Sequence, residues 1–235
     1  MVKKNSFTIF FLCLTIFSFS LYFFSNELLN SNQLLYNSLA EKLTTSQIEI
    51  FITSHKKWQW LTYGTIPILL LIKTLTVATI IYIGSFFYSK NKITFKQLLN
   101  AVIKAEFVFL GVGVLKIIWF YFFQTSYTLE DLQYFYPLSA LNIVGYQGLE
   151  SWFIYPLQVL NLFELAYWLL LAYFIGKLAF TEKDKGKPMD LGFKIVASSY
   201  GSALLLWVVV LHLETGRCFI RPCLQFFRQG LYIKK

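Results

Sequence analysis

Five mostly apolar runs, each near twenty residues long, leave this chain few folds to choose from. They cover about 6–24, 61–88, 101–123, 156–180 and 193–213. A helix rises about 1.5 Å per residue, so about 20 such residues cross the ~30 Å of hydrocarbon in a bilayer. In 235 residues little remains for a soluble domain. The expected fold class is therefore all-α: a polytopic transmembrane helical bundle of about five spans. Composition agrees, with 57% hydrophobic and only 14% charged residues, against about 25% charged in soluble domains. Aromatics reach 20%, more than a soluble core of this size hides, whereas Trp and Tyr suit the lipid–water boundary. A net charge of +9 would suggest nucleic acid for a soluble chain. Here most Lys and Arg sit in short stretches between apolar runs, so no nucleic-acid partner is expected. The expected partners are the lipid bilayer and other membrane proteins or a second copy.

Those basic residues set the threading. Lys3 and Lys4 precede the first run, Lys90, Lys92 and Lys96 follow the second, and Lys183, Lys185 and Lys187 follow the fourth. The connection 124–155 has no Lys or Arg but carries Glu130, Asp131 and Glu150. Cytoplasmic loops collect Lys and Arg, which puts the N-terminus in the cytoplasm. Lys3 and Lys4 before an apolar core also fit a signal peptide. However, Ser18 and Ser20 make a poor cleavage site, and Phe10, Phe11 and Leu12 before Cys13 do not suit a lipoprotein. An uncleaved anchor is expected. The organisation reads as a transmembrane anchor (1–24), an extracytoplasmic helical segment (25–60), a four-span domain (61–213) and a basic tail (214–235). Five spans leave that tail outside with Arg217, Arg221, Arg228, Lys234 and Lys235, against the charge rule.

The outer segments carry helix signals. Leu28, Leu29, Leu35, Leu39 and Leu43 are spaced along 25–60, and Ser46 with Glu49 reads as a capping box opening a second helix. That pattern predicts a short helical hairpin against the membrane, with Trp58, Trp60 and Tyr63 as an interfacial belt. Thr128 with Asp131 forms another cap ahead of Leu132, Phe135 and Tyr136, and Pro137 stops or bends that helix. The segment reads as an aromatic re-entry at the lipid surface, with a ligand-binding lid as the alternative.

Charges inside the spans are the candidate site. An ionisable side chain deep in hydrocarbon costs at least a few kcal/mol, so it faces protein or water and finds a partner. Lys73, Glu106, Lys116 and Glu164 qualify. Counted along straight helices, Glu164 lies roughly 12 Å, Lys116 roughly 10 Å and Lys73 roughly 18 Å from the outer ends of their spans. That depth pairs Glu164 with Lys116, with Lys73 near the same carboxylate. Glu106, nearer the cytoplasmic end, has Lys104 or Lys177 as its expected compensation. Glu106, Gly113 and Lys116 share one side of the third span, and Asn161, Glu164 and Trp168 form one stripe of the fourth. The seam reads first as polar glue between helices, and second as a path or site for an ion or anionic solute. In the fifth span, Ala197 with Gly201 and Ser198 with Ser202 have the spacing of a close packing face.

Catalytic motifs are missing. Gly111-Val112-Gly113 lacks a phosphate-loop pattern, the only histidines are His55 and His212, and no G-x-S-x-G or C-x-x-C occurs. No catalytic residue, metal site or cofactor is expected, and an enzyme is not. Cys218 and Cys223 could form a disulfide if the tail is external, with metal binding beside His212 a remote alternative.

From about 94 to 213 the chain resembles the Yip family of five-span membrane proteins. The resemblance rests on Phe95-Lys96-Gln97-Leu98 leading into Ala105-Glu106, then Pro137-Leu138-Ser139. It continues through Phe163-Glu164-Leu165 ending at Gly176-Lys177, and the small-residue run from Ala197 to Ala203. It implies a five-span membrane domain. Eukaryotic relatives act in vesicle trafficking and bind small GTPases, but this chain lacks a long cytoplasmic N-terminal domain. Asp131-Leu132 is followed by Gln133-Tyr134-Phe135-Tyr136 instead of the family's Asp-Leu-Tyr-Gly-Pro, so GTPase binding does not carry over. Abundant Phe, Ile, Lys and Asn suggest an AT-rich genome and a bacterial cytoplasmic (inner) membrane. The functional expectation is a membrane-embedded scaffold or assembly partner, with a transporter or permease subunit as the alternative.

Overall fold

The computed structural model describes residues 6–40, 44–89, 91–181 and 186–211. Among them every regular element is helical, apart from one antiparallel bridge between Ser139 and Asn161. The basic tail, Cys218, Cys223 and His212 lie outside the described residues.

Four helices are long and apolar enough to cross a membrane: Phe7–Leu28, Tyr63–Tyr88, Leu162–Ala179 and Pro188–Leu211. They match four of the five expected runs, with shifted ends. The first helix, α1 (Ser6–Leu28), continues past the expected end to a turn at Asn30. There Asn adopts a positive φ that its short polar side chain tolerates. The hairpin expected in 25–60 exists as α2 (Ser31–Ala40) and the start of α3 (Thr45–Tyr88). Its second arm is not a separate helix. It runs without interruption into the second span, 44 residues in all. The cap opening α3 is Thr44 with Gln47, whose side chain accepts from the Thr44 N–H at 3.1 Å, rather than Ser46 with Glu49.

The third apolar run is not one straight helix. It is divided into α4 (Phe95–Glu106) and α5 (Val108–Ile118), followed by a π turn (Trp119–Phe123). The two helices meet at Phe107, which keeps right-handed dihedrals while the next bond tightens to Leu110 N–H on Phe107 C=O. Thr94 and Gln97 cap α4 in a reciprocal box. This is the deepest helix of the bundle. Leu98, Leu99, Ala101, Val102, Ile103, Ala105 and Glu106 are all buried, against α1, α3 and α9. By contrast, Leu14 is the only buried residue among those described in α1, so that helix lines the bundle from outside.

The fourth run is also divided. Helix α8 (Ser151–Val159) stops, and Asn161 then caps α9 (Leu162–Ala179) by accepting the Glu164 N–H at 2.7 Å. Between α5 and α8, at the end of the bundle where α9 begins, lies a peripheral (outer) cap containing α6 (Leu129–Tyr134) and α7 (Ala140–Val144). Thr128 and Asp131 cap α6 as expected, with bonds of 2.8 and 3.1 Å, and the helix ends before Pro137. The segment after Pro137 is clamped onto the start of α9. Ala140 N–H donates to Leu160 C=O at 2.8 Å, and Leu162 N–H to Leu138 C=O at 3.1 Å. Within that clamp Leu138 sits at φ +57°, a left-handed conformation that costs a non-glycine residue about 1–3 kcal/mol.

Last comes α10 (Pro188–Val196), which continues through a π turn (Ala197–Gly201) to Leu211. It packs on α9 almost backbone to backbone. Gly192 lies on the Ala172 carbonyl and Gly176 on the backbone of Pro188 and Met189. The expected four-residue face in this helix holds only in part. Gly201 is buried against Trp168 and the half-buried Ser199 meets Gly84, whereas Ser198 and Ser202 are exposed. Ser198 and Ser202 do share a face, with the Ser202 hydroxyl donating to Ser198 C=O at 2.6 Å, but that face points away from the bundle.

Candidate site: an interior network of charges and aromatic rings

The Glu106 carboxylate is 3% exposed and closes α4, and its partner is Lys73 of α3, with the Lys73 Nζ donating to Oε1. The expected compensation by Lys104 or Lys177 does not occur. Lys104 Nζ lies over Phe10 at 4.9 Å from the ring centroid, and Lys177 Nζ lies over Tyr173 and donates to its hydroxyl. Lys73 is seated by rings as well as by charge, 4.0 Å from the centroid of Phe109 and 5.9 Å from that of Tyr167. A cation over a ring face gains about 0.5–2 kcal/mol according to its desolvation. Lys73 is 44% exposed, which places this contact toward the lower end.

Glu164 takes a different role from the one expected. The break at Leu160–Asn161 puts it in the first turn of α9, where the helix dipole favours negative charge. It does not form an ion pair with Lys116; among the described residues the one ion pair is Lys73–Glu106. Its Oε1 accepts instead from Trp168 Nε1 at 3.0 Å and from the Tyr200 hydroxyl at 2.8 Å. The stripe of Asn161, Glu164 and Trp168 is thus a cap and an i, i+4 bond on one helix face. The charges of Lys73 and Glu106 both act on Glu164, which brings three of the four expected residues into one neighbourhood. Lys116, half-buried in α5, forms no ion pair with either carboxylate.

Aromatic residues join the two carboxylates. Tyr167 packs on Phe109 at 4.9 Å and on Tyr200 at 5.6 Å. Its wholly buried hydroxyl lies beside the Glu106 carboxylate, close enough for a hydrogen-bonding interaction with it, although neither that hydroxyl nor Glu106 Oε2 makes a hydrogen bond of ordinary geometry. From the outer cap, Tyr136 comes close enough to feel both carboxylates: burial first, then Glu164 and Glu106, push its hydroxyl up to about 12. Ser139, bridged to Asn161, donates to the Tyr136 carbonyl from its N–H at 3.3 Å and its hydroxyl at 2.7 Å. Gly111 admits the network's neighbour Phe163, whose ring would lie 2.9 Å from an added Cβ, while Gly113 meets only Leu21 at 3.4 Å. Of the contributors, Phe109, Tyr136, Tyr167 and Tyr200 carry no local sequence signal, because each becomes relevant only when helices distant in sequence pack.

The network therefore ties α3, α4, α5, α9 and the π turn after α10 at one level. Polar groups engaged inside a bundle hold helices in register and each contributes about 1 kcal/mol. Among the described residues no group of three His, Cys, Asp or Glu side chains is placed to hold a metal. Comparison with protein-family models, with curated proteins and with solved structures finds no match in any of the three.

Proposed function

We propose that this protein is a membrane-embedded scaffold or assembly partner, similar to Yip-family proteins, with its interior charges serving as structural glue. The observation that carries this reading is the engagement of those charges by other helices of the same chain. Lys73 is bonded to Glu106, and Glu164 is held by Trp168 and Tyr200. A carrier leaves its charges available to cargo; here three of four are satisfied internally. Broad apolar surface on α1 and α3, including Ile9, Leu12, Ile16, Ile68, Leu69 and Ile72, faces outward and suits lipid or a partner helix. In this reading the chain lies in a bacterial inner membrane with its N-terminus cytoplasmic and the 124–160 cap outside, α4 and α5 together forming the remaining span.

A second reading has one observation in its favour. The Glu106 carboxylate and the Tyr167 hydroxyl are buried side by side without a hydrogen bond of ordinary geometry, oxygen atoms of the kind that engage a transported cation. A charge-pair cycle separates the two. Lys73→Met and Glu106→Gln are each expected to lower detergent-extracted thermal stability, by up to about 3 kcal/mol, with the double variant recovering most of the loss. Unchanged stability together with loss of ion or solute flux in proteoliposomes would sink the scaffold reading.

A further inference from the structure

The outer cap holds a cavity of about 170 Å³, separate from the interior network, between the π turn, α6 and α7. Four aromatic rings line it, Phe120, Tyr134, Phe135 and Tyr146, together with Asp131 and Asn142. The rings form two pairs. Phe120 and Phe135 meet edge-on at 5.0 Å, and Tyr134 and Tyr146 tilt together at 5.1 Å.

Asp131 supplies the only charge among these residues. Burial alone would raise its carboxyl, but hydrogen bonds from Tyr146 and Thr128 outweigh burial and hold it below the usual carboxylate range. It is therefore anionic at neutral pH. No cation of the chain neutralises it nearby in sequence, since residues 117–176 contain no Lys or Arg, and no ion pair to Asp131 occurs among the described residues.

Three of the roughly four acceptor sites of the carboxylate are already taken. Oδ1 accepts from the Tyr146 hydroxyl at 2.6 Å, and Oδ2 from the Thr128 N–H and hydroxyl, each at 2.8 Å. What it still offers a ligand is uncompensated negative charge beside aromatic rings, with a single acceptor site left on Oδ1. A primary ammonium brings three N–H donors that require acceptors. A quaternary ammonium brings charge with no donor, and rings around a cation are the usual means of recognising it. A divalent metal wants several oxygen ligands, which one carboxylate does not supply.

We propose that this cavity binds a quaternary ammonium group, presented either by a small soluble solute or by a choline-type lipid headgroup. The purified full-length chain is titrated with tetramethylammonium and with methylammonium chloride at matched ionic strength, following the heat of binding by isothermal titration calorimetry. Saturable binding of tetramethylammonium, at least several-fold tighter than methylammonium, is expected. Tyr134→Leu, which leaves the Asp131 cap intact, should weaken binding by about tenfold, and Asp131→Asn should weaken it further.

Nanodiscs of phosphatidylcholine and of phosphatidylglycerol separate the two sources. If a lipid is the ligand, phosphatidylcholine raises the melting temperature of the native chain but not of Tyr134→Leu, and competes with tetramethylammonium. If a soluble solute is the ligand, tetramethylammonium binds equally in both membranes. No saturable binding, equal binding of methylammonium, or unchanged binding by Tyr134→Leu each overturns the proposal.

Discussion

Tyr136 shows how much a single residue's position can depend on contacts far away in the chain. It follows a six-residue helix on the outer cap, yet it is influenced by carboxylates on α4 and α9. Because its hydroxyl is pushed up to about 12, the folded protein holds that proton more tightly than the unfolded chain, where tyrosine titrates near about 10. The contribution to stability is complete below about pH 10 and is lost as pH rises toward 12. Thermal denaturation across this window should show an alkaline loss that Tyr136→Phe reduces; an identical loss in the variant would contradict the placement. Asp131 acts at the other end of the scale. Its depressed carboxyl contributes stability above the ordinary carboxylate range, and that stability is lost as pH falls through the folded-state value.

At the scale of elements, the glycines distinguish packing from mere helix propensity. At Gly192 a Cβ would run into the backbone of Ala172 and Gly176, so α9 and α10 could not keep their separation. Gly192→Ala is expected to lower stability by about 1–3 kcal/mol. Gly64, in α3, has open space around it, and Gly64→Ala should raise stability by up to about 1 kcal/mol. Melting temperatures of the two variants should move in opposite directions.

The elements also show what could be read from the sequence. Apolar length located the spans, and the Thr128–Asp131 cap was legible because its four residues contain the whole interaction. The Asn161, Glu164 and Trp168 stripe was legible for the same reason, being confined to one helix turn and its cap. Pairing between helices was not. Depth counted along unbroken helices matched Glu164 with Lys116, whereas the breaks at Phe107 and Leu160–Asn161 reset both depth and facing. The expected cap of α3, Ser46 with Glu49, was displaced by Thr44 with Gln47, an overlapping match to the same four-residue pattern that only the structure distinguishes.

Across the whole molecule, charge is distributed unevenly. One 60-residue stretch, 117–176, has no Lys or Arg, while short basic segments flank the other ends of the spans. With the native cysteines replaced by serine, Gln133→Cys should react with a membrane-impermeant maleimide in intact cells, and Lys187→Cys only after lysis. The reverse pattern would invert the proposed threading.

The 44 residues of α3 amount to a rod of about 66 Å, twice what a bilayer core requires. Pro67 lies 22 residues from its outer end and removes one backbone hydrogen bond there. A tilt of about 10° at that point would displace the outer tip by about 6 Å, at the helical rise. Helix α2 packs between that tip and α6, and the Tyr127 hydroxyl is bonded to Leu29 C=O at 3.2 Å. The first half of α3, the α1–α2 turn and the aromatic cap are therefore arranged as a lever and its load: a tilt of α3 at Pro67 would press, through α2, on the helix that carries Asp131.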